Sequence, residues 1–232
     1  MEKIVILTGA GISAESGLGT FRDEGGLWAA HRIEDVATPE GFARDPKLVQ
    51  NFYNMRRAQA RKAEPNAAHY ALAKLEQEFT GEVIIVTQNV DGLHERAGSQ
   101  NVIHMHGFLE GALCAGCGHR WPAPLNMKIT DRCPKCKEVA TRPDIVWFGE
   151  MPYDMEEIWD HLRSCDYFVS VGTSGNVYPA AAFVQDAARH GAITIELNLE
   201  PSAVVSDFAE SHCGKASDIV PEWVEKMLSV RK

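Results

Sequence analysis

"KIVILTGAGISAESG", residues 3–17, decides how this chain folds. Its first half is β-branched and apolar almost throughout, the composition of a parallel strand covered on both faces. The second half turns at once into glycine and small residues. Gly9, Gly11 and Ala14 fit G-x-G-x-x-G/A directly after the strand. In that pattern glycines permit a tight turn and close backbone approach to a pyrophosphate, with a helix N-terminus beyond it. Taken alone, the match is equally that of a glycine-rich strand-to-helix turn.

Working outward, the same strand type recurs. "EVIIVTQ", "YFVSVG" and "ITIELN" are short, apolar and β-branched. Between them "NAAHYALAKLEQEF", "DMEEIWDHLRS" and "YPAAAFVQDAARHG" carry apolar residues at helical spacing, the last closing on Gly191 as a C-cap. "PEWVEKMLSV" reads as a terminal helix. Strand alternating with helix predicts an α/β fold: a doubly wound, parallel, Rossmann-like sheet. Two segments interrupt the alternation and are read as a smaller lobe, a helical insertion and a zinc-binding insertion. The expected division is a Rossmann-like domain of residues 1–26, 67–106 and 148–232, a helical module of 27–66 and a zinc module of 107–147.

Composition narrows the function classes. The chain has 232 residues, 45% of them hydrophobic, and a formal charge of −9, which argues against a nucleic-acid surface. No apolar run reaches the ~18 residues of a membrane span, and residues 1–11 lack the pattern of a signal peptide. A cytoplasmic protein is expected, so clustered cysteines favour metal over disulfides. Of six cysteines, Cys114, Cys117, Cys133 and Cys136 form C-x2-C-x15-C-x2-C, while Cys165 and Cys213 stand apart. Two such knuckles turn four thiolates toward one tetrahedral zinc, and four sulfurs leave no position for substrate. The predicted metal is therefore structural, one per chain, with His119 the only nearby competitor.

After the glycine turn a dehydrogenase supplies a helix, a second strand and an acid about 20 residues on. Here "SGLGTFRDEGGLW" offers no strand, and Glu34 and Asp35 do not follow one, which disfavours hydride transfer. At the end of "EVIIVTQ" the chain places Gln88, Asn89, Asp91 and His94 where open α/β sheets bind ligands. "NVIHMHGFLEG" then sets His104 and His106 on one strand face by alternation. Residue type alone does not choose among these histidines.

"GAGISAESG" with "TFR", then "TQNVDGLH", "HMHG", the double CxxC, "PDIVWFGE", "GTS" and "ELN" occur in the order of the sirtuins. The sequence resembles that family, NAD-dependent protein lysine deacylases, over nearly its whole length. Gly19 departs from the pattern, standing where many relatives have proline or arginine. The resemblance implies NAD as co-substrate in a cleft between sheet and small lobe. Its lining would comprise Gly9, Ala10, Gly11, Ile12, Ser13, Thr20, Phe21, Arg22 and Trp28. Gln88, Asn89 and Asp91 would join them at the nicotinamide end. Gly172, Thr173 and Ser174 would hold phosphate and ribose, with Asn198, Leu199 and Glu200 on the adenosine side and Ala216 a late cofactor contact.

By the same resemblance His106 and Asn89 are the catalytic groups, and His104 is structural. The acyl-lysine carbonyl oxygen attacks the ribose anomeric carbon and expels nicotinamide. His106, a general base acting through the ribose hydroxyls, then lets the 2′-oxygen attack the resulting imidate carbon, and water completes release of free lysine and O-acyl-ADP-ribose. Val146, Trp147 and Phe148 would pair the substrate backbone as an added strand. The expected partners are acylated lysines of other proteins, with no membrane or nucleic acid, and the expected state is a monomer. Two rivals are a nicotinamide dehydrogenase and a non-catalytic zinc-ribbon adaptor; release of free nicotinamide separates the first, NAD binding the second.

"NFYNMRRAQARK", residues 51–62, concentrates positive charge in an acidic chain. Read as a helix, it puts Leu48, Phe52, Met55 and Gln59 on a packing stripe and Tyr53 with Arg56 on a neighbouring face. Arg57, about 100° further round, is expected in solvent. The Tyr-x-x-Arg spacing resembles the sirtuin branch that removes succinyl, malonyl and glutaryl groups, which implies that Tyr53 and Arg56 bind the acyl carboxylate.

Overall fold

The computed structural model describes residues 1–19 and 31–229. Among them, a six-stranded sheet runs in the order β3-β2-β1-β7-β8-β9, every neighbouring pair parallel. Its strands are β1 (Lys3–Thr8), β2 (Glu82–Thr87), β3 (Val102–His104), β7 (Tyr167–Val171), β8 (Ile193–Asn198) and β9 (Glu210–Cys213). A second, antiparallel sheet has the order β5-β4-β6, from β4 (Gly107–Cys114), β5 (Arg120–Pro122) and β6 (Thr141–Ile145). The helices are α1 (Ala10–Ala14), α2 (Ile33–Val36), α3 (Pro39–Arg44), α4 (Pro46–Ala60), α5 (Ala67–Glu78), α6 (Leu93–Ala97), α7 (Met155–Ser164), α8 (Phe183–Arg189) and α9 (Ala216–Ser229). None of them is long and apolar enough to cross a membrane.

The doubly wound expectation follows directly from side-chain alternation. Ile4, Ile6, Val83, Ile85, Val169 and Val171 face one core with Leu72 and Leu75 of α5 and Val220, Trp223 and Val224 of α9. Val5, Leu7, Ile84, Val86 and Phe168 face the other, against Ile158 and Leu162 of α7 and Phe183 and Val184 of α8. Each strand is thus apolar at successive positions because both faces are covered.

Helix boundaries follow local chemistry. Pro39 and Pro46 open α3 and α4, where Thr38 Oγ1 accepts from Gly41 N (2.9 Å) and Asp45 Oδ1 from Leu48 N (2.9 Å). Gly191 closes α8 with φ +95°: its N–H reaches Ala188 O and that of Ala192 reaches Ala187 O, both 3.1 Å, a Schellman motif. Two ends depart from the sequence pattern. α8 starts only at Phe183, after a 3₁₀ turn at Ala180–Ala182. α9 starts at Ala216, five residues ahead of Pro221; Ser217 there donates N–H and hydroxyl to Glu15 at 3.0 and 2.8 Å.

The basic helix α4 corrects the sequence reading. Its buried side is Val49, Gln50, Phe52, Tyr53 and Arg57, while Met55 is 43% exposed and Gln59 is exposed. Arg57 was expected in solvent and is instead fully buried. Its Nε donates to Leu109 O (2.7 Å), Nη1 to Asn54 Oδ1 (2.9 Å) and Leu125 O (3.4 Å), and Nη2 to Met127 Sδ (3.4 Å). Burial pushes its pKa down to about 10, yet it stays charged at neutral pH. Carbonyl and amide oxygens solvate the cation, and in doing so tie the helix to β4 and to the loop before the third cysteine. The periodicity misled because a guanidinium occupies a core position.

Arg57→Met leaves the Leu109 and Leu125 carbonyls without this donor. It should lower unfolding free energy by about 2–3 kcal/mol, read from the urea midpoint at unchanged slope. A loss below about 0.5 kcal/mol would show the clamp to be energetically idle.

Candidate active site

At the C-terminal edge of the parallel sheet, β1 lies between β2 and β7, and the connections leave in opposite directions, the crevice where such sheets bind ligands. Gly9 N donates to Val171 O (3.0 Å) and Gly11 N to Gly172 O (2.9 Å). A Cβ on Gly9 or Gly11 would lie 2.7 Å from Gly172 backbone, and one on Gly172, whose φ is +62°, 2.4 Å from Ile12 N. The first two glycines of the motif therefore serve the contact between two strand ends. That contact gathers Gly9 to Ser13 beside Gly172 and Thr173, whose hydroxyl meets Ser170 Oγ at 2.7 Å. Asn198 Nδ2 donates to Thr173 O (2.7 Å), which brings the end of β8 to the same rim. Leu199 and Glu200 are exposed there, Ser174 accepts from Asn176 N, and Ala216 opens α9. Thr20, Phe21, Arg22 and Trp28 lie outside the described residues.

Under this rim sits a buried polar network. Asn66 N donates to His69 Nδ1 (3.3 Å), so that ring presents Nε2–H toward Ser13 Oγ, 3.5 Å away. Ser13 accepts from Asn89 Nδ2 (3.1 Å) and donates to Asp91 Oδ2 (3.2 Å). Asn89 Nδ2 also reaches Gly9 O (3.0 Å), and Asp91 Oδ1 takes Leu93 N–H (3.1 Å). Burial raises the Asp91 pKa, against the Leu93 and Ser13 hydrogen bonds and the charges of His104 and Arg56. His94 is buried on Thr8 Oγ1 at 3.0 Å, its Nδ1 without a partner among the described residues, and burial holds its pKa well below the ordinary value. Burial also takes His69 down to about 4. Both rings are neutral scaffold. His69 escaped the sequence reading, although Asn66 and His69 have N-cap and N3 spacing for a reciprocal cap.

The structure separates the two histidines of "HMHG". β3 ends at His104, so His106 lies in the turn to β4 and not on a strand as expected. His104 Nδ1 meets Asn89 O (3.2 Å) and its Nε2 meets Glu95 Oε1 (2.6 Å). Burial opposes its charge, but Glu95, the Asn89 carbonyl and Asp91 outweigh it and raise the pKa. Among the described residues His106 has one anchor, Nδ1 to Gln88 O at 3.2 Å. A carbonyl only accepts, so Nδ1 carries the proton and Nε2 keeps its lone pair. Burial lowers this pKa, against the Gln88 carbonyl, and keeps the ring neutral near pH 7. The carbonyls of Gln88 and Asn89 thus orient one ring each.

On the lobe side Tyr53 is buried and its Oη accepts Trp147 Nε1–H (3.0 Å). Burial raises the phenol to about 12, so it stays protonated. The Arg56 guanidinium lies 5.9 Å from the Tyr53 ring centre and 6.0 Å from that of Phe52. Burial lowers its pKa, against Tyr53 and Asp91. The main-chain donors of the peptide-side wall have partners within the chain. Val146 N bonds His106 O (2.9 Å), Phe148 N bonds Ala37 O (2.9 Å) and Trp147 N bonds Glu150 Oε2 (2.8 Å). Trp147 is core; Phe148 is exposed.

The four cysteines of the double knuckle gather their sulfurs within 4.8 Å of one another, with Cys114–Cys136 at 3.6 Å and Cys117–Cys133 at 3.8 Å. Zn–S bonds of about 2.3 Å in a tetrahedron put sulfurs about 3.8 Å apart, so the set fits zinc and closes it. Gly118 (φ +70°) makes the first knuckle's turn.

A parallel sheet with a glycine-packed switch point, a lone-pair histidine at its edge and a metal-stapled second lobe defines a dinucleotide-using α/β enzyme. The sequence model of the Sir2 family matches residues 9–179, and the chain belongs to that family. It is 56% identical to a protein of Pasteurella multocida named NAD-dependent protein deacylase, over 97% of this chain and 98% of the relative. A protein of the same name from Vibrio vulnificus is 57% identical, over 97% and 94%. Among solved structures, a Sir2 homologue mutant with ADP-ribose superposes with TM-score 0.90 at 39% identity, covering 99% and 94% of the two chains. A Sir2 homologue bound to a myristoylated histone peptide gives 0.76 at 34%, covering 99% and 92%.

Two outcomes follow from the buried groups. Cys133→Ser should leave less than one zinc per chain and unfold β4–β6 first, measured by metal analysis and hydrogen exchange; full zinc occupancy would overturn the assignment. His69 is neutral when folded and titrates at its ordinary value when unfolded. Its contribution is whole above about pH 6.5 and is lost as pH falls from there through about 4. His69→Gln should therefore flatten the acid slope of stability between those limits by up to about 1.4 kcal/mol per pH unit; an unchanged slope would refute it.

Proposed function

We propose that this chain is an NAD-dependent protein lysine deacylase that removes succinyl, malonyl and glutaryl groups, and acetyl also, with release of nicotinamide and O-acyl-ADP-ribose. The reading is supported by the shared name of its relatives and by the NAD, ADP-ribose and acyl-peptide complexes of its structural neighbours. Its co-substrate supplies an anomeric carbon that carries a cationic leaving group. The chain's own part begins with His106, whose Nε2 takes a proton from a ribose hydroxyl while the Gln88 carbonyl holds its tautomer. Asn89 turns its two amide protons inward to Gly9 and Ser13; its Oδ1, which has no partner among the described residues, orients a hydroxyl or water. Asp91 holds the network below, and the Gly9–Ser13 turn with Gly172 to Ser174, Asn198 and Glu200 forms the dinucleotide wall. The carboxylate of a dicarboxyl acyl chain meets the Arg56 guanidinium and the Tyr53 hydroxyl. The two-lobe division at residues 27–66 and 107–147, a monomeric state and a cytoplasmic setting complete the proposal. A cysteine set used for metal supports the last of these.

The observation that carries this reading is the contrast between the two histidines among the described residues: one ring bonded at both nitrogens, the other at one. His106→Ala should lower nicotinamide release by roughly 10²–10⁴ with zinc content and thermal unfolding unchanged. The kcat/KM profile of the parent should lose activity as pH falls through a value below 6.5, where His106 gains its proton. Near-normal turnover by His106→Ala would move the role elsewhere.

A further inference from the structure

Arg142, Trp147 and Glu150 form a linked set that nothing in the reaction itself requires. Arg142 is 8% exposed, and Nη1 and Nη2 grip Glu150 Oε1 and Oε2 at 2.6 and 2.8 Å. Nη2 also donates to Ile145 O (2.7 Å). The guanidinium carbon lies 3.5 Å from the Trp147 ring centre, inside the range of a cation–π contact. Glu150 Oε2 takes the Trp147 main-chain N–H at 2.8 Å as well. One carboxylate therefore fixes this indole twice, through its backbone and through the cation on its face. Phe42 packs on the same ring with centroids 5.1 Å apart. The indole N–H then ends on Tyr53 Oη at 3.0 Å.

Direction matters in that last bond. An indole N–H can only donate, so the Tyr53 oxygen accepts and its own proton is turned to another acceptor. Without the indole the phenol could rotate its proton away from a ligand. We propose that Glu150, Arg142 and Trp147 act as a positioning relay that sets the Tyr53 hydroxyl as a donor to the acyl carboxylate, making them determinants of acyl selectivity. The inference rests on the proposed Tyr53–Arg56 carboxylate site and adds residues that touch no substrate. Charge supports it: Glu150 neutralises Arg142, so the relay supplies geometry, and the positive charge facing the acyl chain is that of Arg56. Acetyl-lysine presents no carboxylate and gains nothing from the phenol's orientation.

The quantity to measure is the ratio of kcat/KM for succinyl-lysine to that for acetyl-lysine peptide, in which any loss of folded fraction cancels. Trp147→Phe keeps an aromatic face for Arg142 and removes the N–H; it should lower the ratio about 10-fold, mainly through KM for the succinyl peptide. Arg142→Lys keeps the charge beside Glu150 and loses the planar face, and should lower the ratio less, in the same direction. In a Tyr53→Phe background, Trp147→Phe should have no further effect, because the relay acts through that hydroxyl. A ratio within twofold of the parent for Trp147→Phe, or additive losses in the double variant, would overturn the relay. Arg56→Met, measured alongside, distinguishes the two failures. If it lowers the ratio and Trp147→Phe does not, the relay alone is wrong; if it leaves the ratio unchanged, the carboxylate site falls and the relay with it.

Discussion

The contact on which the site depends is between two pieces of main chain. The turn after β1 and the turn after β7 approach until no Cβ fits at Gly9, Gly11 or Gly172, with Gly11 N bonded to Gly172 O at 2.9 Å. An L-residue at Gly172 would meet both a clash and a φ of +62°. Everything at the edge takes its position from there. Ser13 follows the turn into the buried network, Asn89 reaches back to the Gly9 carbonyl, and Thr173 receives Asn198. The cleft at this edge is first a packing solution between strand ends.

Around it the chain uses polar burial differently on its two sides. Beneath the sheet edge the buried groups are neutral and chained: His69, Ser13, Asn89, with Asp91 raised by burial. In the smaller lobe they are charged: Arg57 among carbonyls, Arg142 against Glu150. Neutral rings can be desolvated at modest cost, whereas a buried guanidinium needs nearly all of its donors satisfied. The lobe meets most of that demand with backbone carbonyls, the Asn54 amide, the Met127 sulfur and one carboxylate, leaving Arg142 Nε without a partner among the described residues, and so fixes loops that have little apolar core of their own. The cluster of Ala112, Ala123 and Met127 is small, and the cysteine staple completes it.

How much of this was legible in the sequence follows from which physics is local. Apolar alternation is local to a strand, so β1, β2, β7 and β8 could be read from residue type, as could the double knuckle from its spacing. Capping is local too, and Gly191 ended α8 as its position suggested. What could not be read depends on contacts made from far along the chain. Arg57 is a surface residue by type and a core residue only because Leu109, Leu125 and Met127 come to it. The amides of Val146 and Phe148 go to His106 and Ala37, partners far back along the chain. The two histidines of "HMHG" differ through Glu95, a residue nine positions before the first of them.

The turn that bears His106 continues straight into β4, whose last residue is Cys114, the first sulfur of the metal staple. Gly107, between them, sits with φ +86° so close to Asp144 that a Cβ would come within 2.2 Å of its carbonyl oxygen. His106 and the cysteine cluster thus share one continuous stretch of chain, pinned at its start. Disorder at the cysteine end of that ribbon would therefore be transmitted to the turn that carries His106 without altering any side chain of the cleft.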